Sequence, residues 1–129
     1  MTQEAMSVAR APWNSWRGKY LSIEPELSGA DLSEANLVRA DLSRAELSET
    51  DLTRAALSGA ELQEADLSEV DLSKAILAGA TLTGADLSTA SLTQEELEPA
   101  TGDENTRLPP DLNPPAHWGV KTDEQVRED

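Results

Sequence analysis

The sequence predicts an all-β solenoid whose chain bends through a right angle every five residues, and two patterns carry that prediction. Leucine stands at 27, 32, 37, 42, 47, 52, 57, 62, 67, 72, 77, 82, 87, 92 and 97 without a break. Two residues before most of these lies alanine, at 30, 35, 40, 45, 55, 60, 65, 75, 80, 85 and 90, interrupted by Pro25, Thr50, Val70 and Glu95. The unit reads Ala-(Asp/Glu)-Leu-(Ser/Thr)-x.

Neither regular element buries such a pattern. A step of five in an α-helix turns the side chain by about 500°, or about 140° net, which scatters the leucines around the cylinder. In a flat strand an odd step sends successive leucines to opposite faces. A chain that turns about a quarter-circle per unit points every leucine and alanine inward and closes a coil after about 20 residues. Successive coils then sit about 4.8 Å apart and hydrogen-bond to one another. The expected core is Leu32, Leu37, Leu42, Leu47, Leu52, Leu57, Leu62, Leu67, Leu72, Leu77, Leu82 and Leu87 with Ala30, Ala35, Ala40, Ala45, Ala55, Ala60, Ala65, Ala75, Ala80 and Ala85.

The units Ala30-Asp31-Leu32-Ser33-Glu34 and Ala35-Asn36-Leu37-Val38-Arg39 resemble the motif of the bacterial pentapeptide-repeat family. That resemblance covers about residues 26–98 and implies a right-handed quadrilateral β-helix. With roughly fifteen units it implies nearly four coils, standing about 17 Å tall at about 4.8 Å per coil. Short helical or irregular caps should close the ends. Many family members carry Phe at central positions; leucine throughout implies a regular prism here. The stretch Leu92 to Trp118 resembles a tail that follows such arrays, through Gly102-Asp103-Glu104-Asn105-Thr106, Leu108-Pro109-Pro110 and Pro115-Ala116-His117-Trp118. Thr101 stands where that tail commonly has Cys.

The ends are read from composition. An N-terminal segment, 1–25, carries Trp13, Trp16, Tyr20, Leu21 and Ile23, which are expected to lie over the first coil. At the far end Thr93-Gln94-Glu95-Glu96 forms a capping-box pattern, so a short helix should begin there and stop near Pro99. The proline-rich segment 99–120 is expected to fold back along the prism and place Trp118 against it. Residues 121–129 read as a disordered tail.

The chain has 129 residues, 25 acidic and 10 basic, for a net charge of −15, and no cysteine. An acidic chain repels phosphate backbones, so direct nucleic-acid binding is not expected. No run approaches the roughly 20 apolar residues of a membrane span, and Met1 to Arg10 shows no signal-peptide pattern. A cytoplasmic protein is the expectation. His117 is the single histidine, which rules out a histidine-containing triad other than through it or a multi-histidine metal site. Gly29, Gly59, Gly79 and Gly84 fall in the variable fifth position, as turn glycines and not as a phosphate loop. The serines after each leucine read as corner residues bonded to nearby backbone. No enzyme activity, cofactor or metal is expected.

Stacking residues 20 apart gives unequal outer faces. An acidic side is expected from Glu26, Glu46, Asp66 and Asp86, with Glu49 and Glu69 alongside, next to Asp31, Asp51 and Asp71. Like charges about 5 Å apart cost under about 1 kcal/mol per pair in water. Arg54 and Lys74, stacked over Glu34, offset part of it; the first acidic column has no basic residue in its own stack by this count. A second side presents Val38, Ala56, Ile76 and Ala78 as an apolar strip, expected to be covered by the proline-rich tail.

Function follows as a non-catalytic scaffold presenting a rigid acidic surface to an unknown protein partner, as a monomer or weak homodimer. The alternative is a DNA mimic that binds DNA gyrase or another DNA-binding protein. Family resemblance implies that alternative, although the family's gyrase-protecting members are longer dimers joined end to end.

Overall fold

The computed structural model describes residues 25–120. The expected roles of Trp13, Trp16 and Tyr20, and of the tail 121–129, lie outside the described residues.

Parallel bridges join residues 20 apart on four successive sides of one coil: Glu26 to Glu46, Asp31 to Asp51, Asn36 to Ala56, and Asp41 to Glu61. The same columns continue upward through Asp66 and Asp86, Asp71 and Ser91, Ile76, and Thr81 and Thr101. Each side therefore contributes one ladder residue per rung, with a turn at each corner. The residue before leucine is the ladder residue, and the leucine that follows points inward.

Three main-chain hydrogen bonds tie each rung to the next on most sides, one of them from the corner residue, as when Glu49 N–H donates to Ser68 C=O at 2.9 Å. On the first face Leu47 N–H donates to Asp66 C=O at 2.9 Å and Asp66 N–H donates to Ala45 C=O at 3.0 Å. The corner is closed locally, as when Ala35 N–H donates to Leu32 C=O at 3.1 Å. From Gly29 to Gly84 the fifth residue of each unit takes a left-handed backbone. Glycine holds that corner at Gly59 and Gly79, with φ of 69° and 70°. Elsewhere Glu34, Arg39, Arg44, Glu49, Arg54, Glu64, Glu69 and Lys74 hold the same conformation near φ 60°. This costs about 1–2 kcal/mol per residue for an L side chain, so the interior leucines and the ladder must over-determine the corner.

The interior is apolar and continuous. Leu32 through Leu87 and Ala40, Ala45, Ala55, Ala60, Ala80 and Ala85 are buried, whereas Leu27 and Ala30 are only partly so. Ala30 thus sits at the margin of the core. Thr50 and Val70 replace alanine in one inward column and are also buried. The Thr50 hydroxyl donates to Leu27 C=O at 3.0 Å, which satisfies the one polar side chain in that column.

The fourth coil departs from the pattern on its third side. There α1, Gln94–Leu97, takes the place of the ladder residue. Thr93 is its N-cap: its side chain accepts from Glu96 N–H at 3.2 Å, and Glu96 Oε1 accepts from Thr93 N–H at 2.8 Å. Leu97 still enters the core, in register with Leu77.

The ladder does not stop at residue 98. Thr101 bridges Thr81 at the usual spacing, and Arg107 then bridges Asp86, one residue beyond it. The surplus residue lies in the turn Gly102–Thr106. That turn is organised by Asp103, whose Oδ1 accepts from Asn105 N–H at 3.0 Å. The Thr106 hydroxyl donates to Leu82 C=O at 2.9 Å.

Segment 99–120 does not lie along the apolar strip; Ile76 remains 55% exposed. Its closing residues instead reach the end of the prism. Gly102 stands in register above Leu82, where another leucine would point inward, and the Trp118 ring occupies that space. A Cβ built on Gly102 would lie 2.5 Å from Trp118 Cζ3. Trp118 Nε1 donates to Ala100 C=O at 2.8 Å, and Trp118 is buried. Covering the open end of the core with a large ring removes more apolar surface from water than covering one isoleucine would. The Gln94 side chain secures the path by bonding both main-chain groups of Asn113, at 2.9 Å and 3.0 Å.

Candidate functional site: the acidic faces and the apolar side

The acidic residues expected on two adjoining faces fall there. Glu26, Glu46, Asp66 and Asp86 form the first column, and Asp31, Asp51 and Asp71 the second. Glu49 and Glu69 occupy the exposed corner between them. Most of these side chains are exposed; Asp51, Asp71 and Asp86 are half-buried.

The carboxylates have a structural task that the sequence reading assigned to backbone and serine alone. Asp31 Oδ1 accepts from both Ser33 N–H at 3.1 Å and the Ser33 hydroxyl at 2.6 Å. Asp51 does the same with Thr53, at 3.0 Å and 2.7 Å, and Asp86 with Ser88, at 3.0 Å and 2.7 Å. At these units the hydroxyl after leucine therefore donates to the carboxylate two residues earlier, and not to nearby backbone as expected, whereas the Ser48 hydroxyl donates to Ser28 Oγ at 3.1 Å. A charged acceptor strengthens such a bond, which explains the preference for the carboxylate.

The same bonds act on the acidity of Asp31, Asp71 and Asp86. The Ser33 hydroxyl, and then its N–H, hold the Asp31 carboxyl below the ordinary aspartate value. Ser73 and Ser88 do likewise for Asp71 and Asp86, with a smaller electrostatic contribution from Arg107 at Asp86. At Glu26 the hydrogen-bonded Glu46 side chain is the main cause of lowering, followed by Ser28. Asp31, Asp71 and Asp86 thus keep their charge further into the acid range, with part of the repulsion around them offset by these donors.

Arg107 corrects the expectation that the first acidic column contains no base. It occupies the next rung above Asp86: Arg107 N–H donates to Ala85 C=O at 2.9 Å, and Leu87 N–H donates to Arg107 C=O at 2.7 Å. A strict count of 20 from Asp86 falls on Thr106, so the inserted residue hides Arg107 from a periodic reading.

On the opposite side Asn36, Ala56 and Ile76 form one column, and Val38, Ser58 and Ala78 the neighbouring one. Ile76 and Ala78 are exposed, while Val38 and Ala56 are half-buried. Beside Ile76 an open groove is lined by Ala75, Ile76, Leu77, Ala78, Thr93, Glu95, Glu96 and Pro99. Sequence reasoning located the apolar strip but not this groove, which exists because α1 interrupts the ladder.

Among the described residues no group of three or more His, Cys, Asp or Glu side chains is placed to hold a metal ion. No described helix is long and apolar enough to cross a membrane. His117 Nε2 lies 2.8 Å from Ala100 C=O, beside the Trp118 bond to the same oxygen, so its visible contact is structural.

Comparison with known proteins agrees with this geometry. Eight copies of the unit described as pentapeptide repeats match residues 26–63 and 55–94, more than half of the chain. The crystal structure of the pentapeptide repeat protein Rfr23 from the cyanobacterium Cyanothece 51142 is 41% identical, with a TM-score of 0.60. The match covers 64% of this chain and 56% of that one, so this chain spans little more than half of that structure. A pentapeptide repeat protein from Nostoc Pcc 7120 is 35% identical over 77% of this chain and 86% of its own, at a TM-score of 0.37. One from the Arabidopsis thaliana thylakoid lumen is 27% identical over 76% of this chain and 63% of its own, at 0.40. A search of curated proteins returns no match. With the repeat matched over most of the prism and the ladder spaced at 20, this chain belongs to the pentapeptide repeat family, whose members fold as right-handed quadrilateral β-helices.

Proposed function

We propose that the chain is a non-catalytic scaffold of nearly four coils that offers its two acidic faces to a basic surface on another protein. The observation that supports this reading most is the stacking of Glu26, Glu46, Asp66 and Asp86 beside Asp31, Asp51 and Asp71 on a backbone fixed by hydrogen bonds at every rung. A rigid array of charges gives orientation and speed to association, because no side-chain or loop ordering is needed to align it. On this reading the chain acts in the cytoplasm as a monomer or weak homodimer.

The test is affinity capture from native cells with the unaltered chain and with Glu46→Lys/Asp66→Lys. A partner retained by the first and lost from the second supports the acidic faces as the contact. Equal recovery by both would refute that assignment. DNA mimicry is the second reading, favoured by the regular spacing of carboxylates along a narrow rod. It predicts inhibition or protection in a gyrase supercoiling assay at micromolar protein, and no effect would end it.

A further inference from the structure

Ile76 is the large apolar side chain left exposed among the described residues, and the third side, which carries it, is built differently from the others. Its outward ladder column begins Asn36 and Ala56, where every other side has Asp or Glu in its first two rungs. Its two edges also differ from each other. The corner before it stacks Glu34, Arg54 and Lys74, all exposed, with Glu34 N–H bonded to Thr53 C=O at 2.9 Å and Arg54 N–H to Ser73 C=O at 3.0 Å. The corner after it stacks Arg39, Gly59 and Gly79, with Arg39 N–H bonded to Ser58 C=O at 2.9 Å and Gly59 N–H to Ala78 C=O at 2.8 Å. The Arg39 stem leans over Gly59, its Cγ 3.3 Å from where a Cβ would stand. Above it the corner is bare main chain: a Cβ on Gly79 would meet nothing nearer than Gly59 N at 3.8 Å.

We propose that the third side is the contact for a second copy of this chain, in a parallel two-fold pair with the two third sides face to face. A two-fold axis along the prism sets the corner before each third side against the corner after it on the other copy, coil by coil. In the first coil Glu34 then meets Arg39, and by symmetry it does so twice. Glu34 stands between its own Arg54, one rung above, and the other copy's Arg39. In the third coil Lys74 lies over the bare corner at Gly79, and Ile76 reaches across to Ala78, whose small side chain leaves room for it. Rungs in both copies share one spacing of about 4.8 Å, so the levels stay in step. An antiparallel pair centred on the same side loses this fit, because Arg54 would stand against Lys74.

The pair should be weak. A side about 17 Å tall buries well below the about 800 Å² per partner of a standard interface. Each copy carries −15, and at the fourth coil exposed Glu95 and Glu98 face the contact, offset in part by Lys74 one rung lower. The first sides, opposite the third, point away from each other and leave the dimer with two acidic columns to offer. The inference rests on the scaffold reading only in taking up the homodimer that reading includes; the contact itself is made by the third side.

Sedimentation equilibrium of the full chain at about 0.15 M salt should show weight-average mass rising reversibly towards that of a dimer between about 20 µM and about 2 mM. Amides of Ile76, Ala78 and Gly79 in the 15N-labelled chain should shift along the same series, while those of Glu46 and Asp66 stay still. Ile76→Lys, at an exposed position, should leave the circular dichroism spectrum unchanged and weaken association by about tenfold. Glu34→Arg and Arg39→Glu should each weaken it by about fivefold, since a two-fold pair loses both ion pairs at once. The decisive sample is an equimolar mixture of these two variants, in which both contacts become Arg against Glu. The mixed pair should form about fivefold or more tightly than either variant with itself.

Monomer mass throughout the series overturns the proposal. So do shifts that gather on Glu46 and Asp66 or around Trp118, and association of Ile76→Lys equal to the parent. A mixture no tighter than its components would assign another arrangement of the two copies and overturn this one. Glu46→Lys/Asp66→Lys should self-associate at least as tightly as the parent, whatever it captures from cells. Failure of the acidic-face reading and failure of this pair are therefore read from different measurements.

Discussion

Gly102 and Trp118 should behave as a single energetic unit. Substituting alanine at Gly102 places a methyl 2.5, 2.6 and 2.8 Å from Trp118 Cζ3, Cη2 and Cε3. Ordinary carbon contacts lie near 3.5–4.0 Å, so the ring must retreat by roughly 1 Å. It has little freedom to do so, since its Nε1 bonds Ala100 C=O at 2.8 Å and its own N–H bonds Pro115 C=O at 3.0 Å. Overpacking of this kind costs about 1–3 kcal/mol. Trp118→Ala removes the buried ring and should cost about 3–5 kcal/mol. The decisive measurement is the double variant. With the ring gone, the three nearest contacts of the alanine methyl are gone with it, so Gly102→Ala should cost little further. Urea unfolding followed by far-ultraviolet circular dichroism should therefore give a coupling of about 1–3 kcal/mol between the two sites. Costs that add to within about 0.5 kcal/mol would show that the ring does not occupy the leucine position above Leu82.

Leu52→Ala, in a fully enclosed rung, should destabilise the chain by about 2–5 kcal/mol, and Leu27→Ala, only partly buried, by clearly less; equal costs in urea unfolding would contradict a closed interior stacked on four sides. The lowered acidities of Asp31, Asp71 and Asp86 fix the sign of a pH effect. A carboxyl depressed in the folded state contributes stability that is complete above the unfolded value, about 3.9, and disappears as pH falls through the folded one. Urea midpoints should thus fall below about pH 4 more steeply for the parent than for Ser33→Ala/Ser73→Ala/Ser88→Ala, which lacks the hydroxyl donors; parallel curves would detach the serines from the ladder's acidity.

The fold was legible because it is written as a period. Leucine at every fifth position excludes helix and flat strand together, and Ala or Leu in each inward column then fixes four sides. The acidic and apolar columns followed from the same count. What escaped lies where the count changes or where bonding is lateral. Arg107 stands 21 residues after Asp86, not 20. α1 was foreseen from Thr93 and Glu96, yet the groove it leaves beside Ile76 depends on how the helix meets the rung below, which no local pattern records. The pairing of Ser33 with Asp31 was within reach, since Asp-x-Ser is a recognised local turn. Eight charged residues at positive φ were not, because propensity alone would put glycine there. Trp118 has no periodic partner; its position emerges only once Gly102 is seen to leave a leucine-sized gap.

Near-identical units pose a problem of address. A chain that can pair any rung with any other gains much the same ladder bonds after slipping by one whole coil, so uniform leucines cannot number themselves. Thr50 breaks that uniformity, since its buried hydroxyl needs a main-chain acceptor, here Leu27 C=O in the neighbouring coil, whereas alanine and valine in the same inward column need none. Replacing Thr50 by the consensus alanine would smooth the prism while removing one bond that holds two neighbouring coils together.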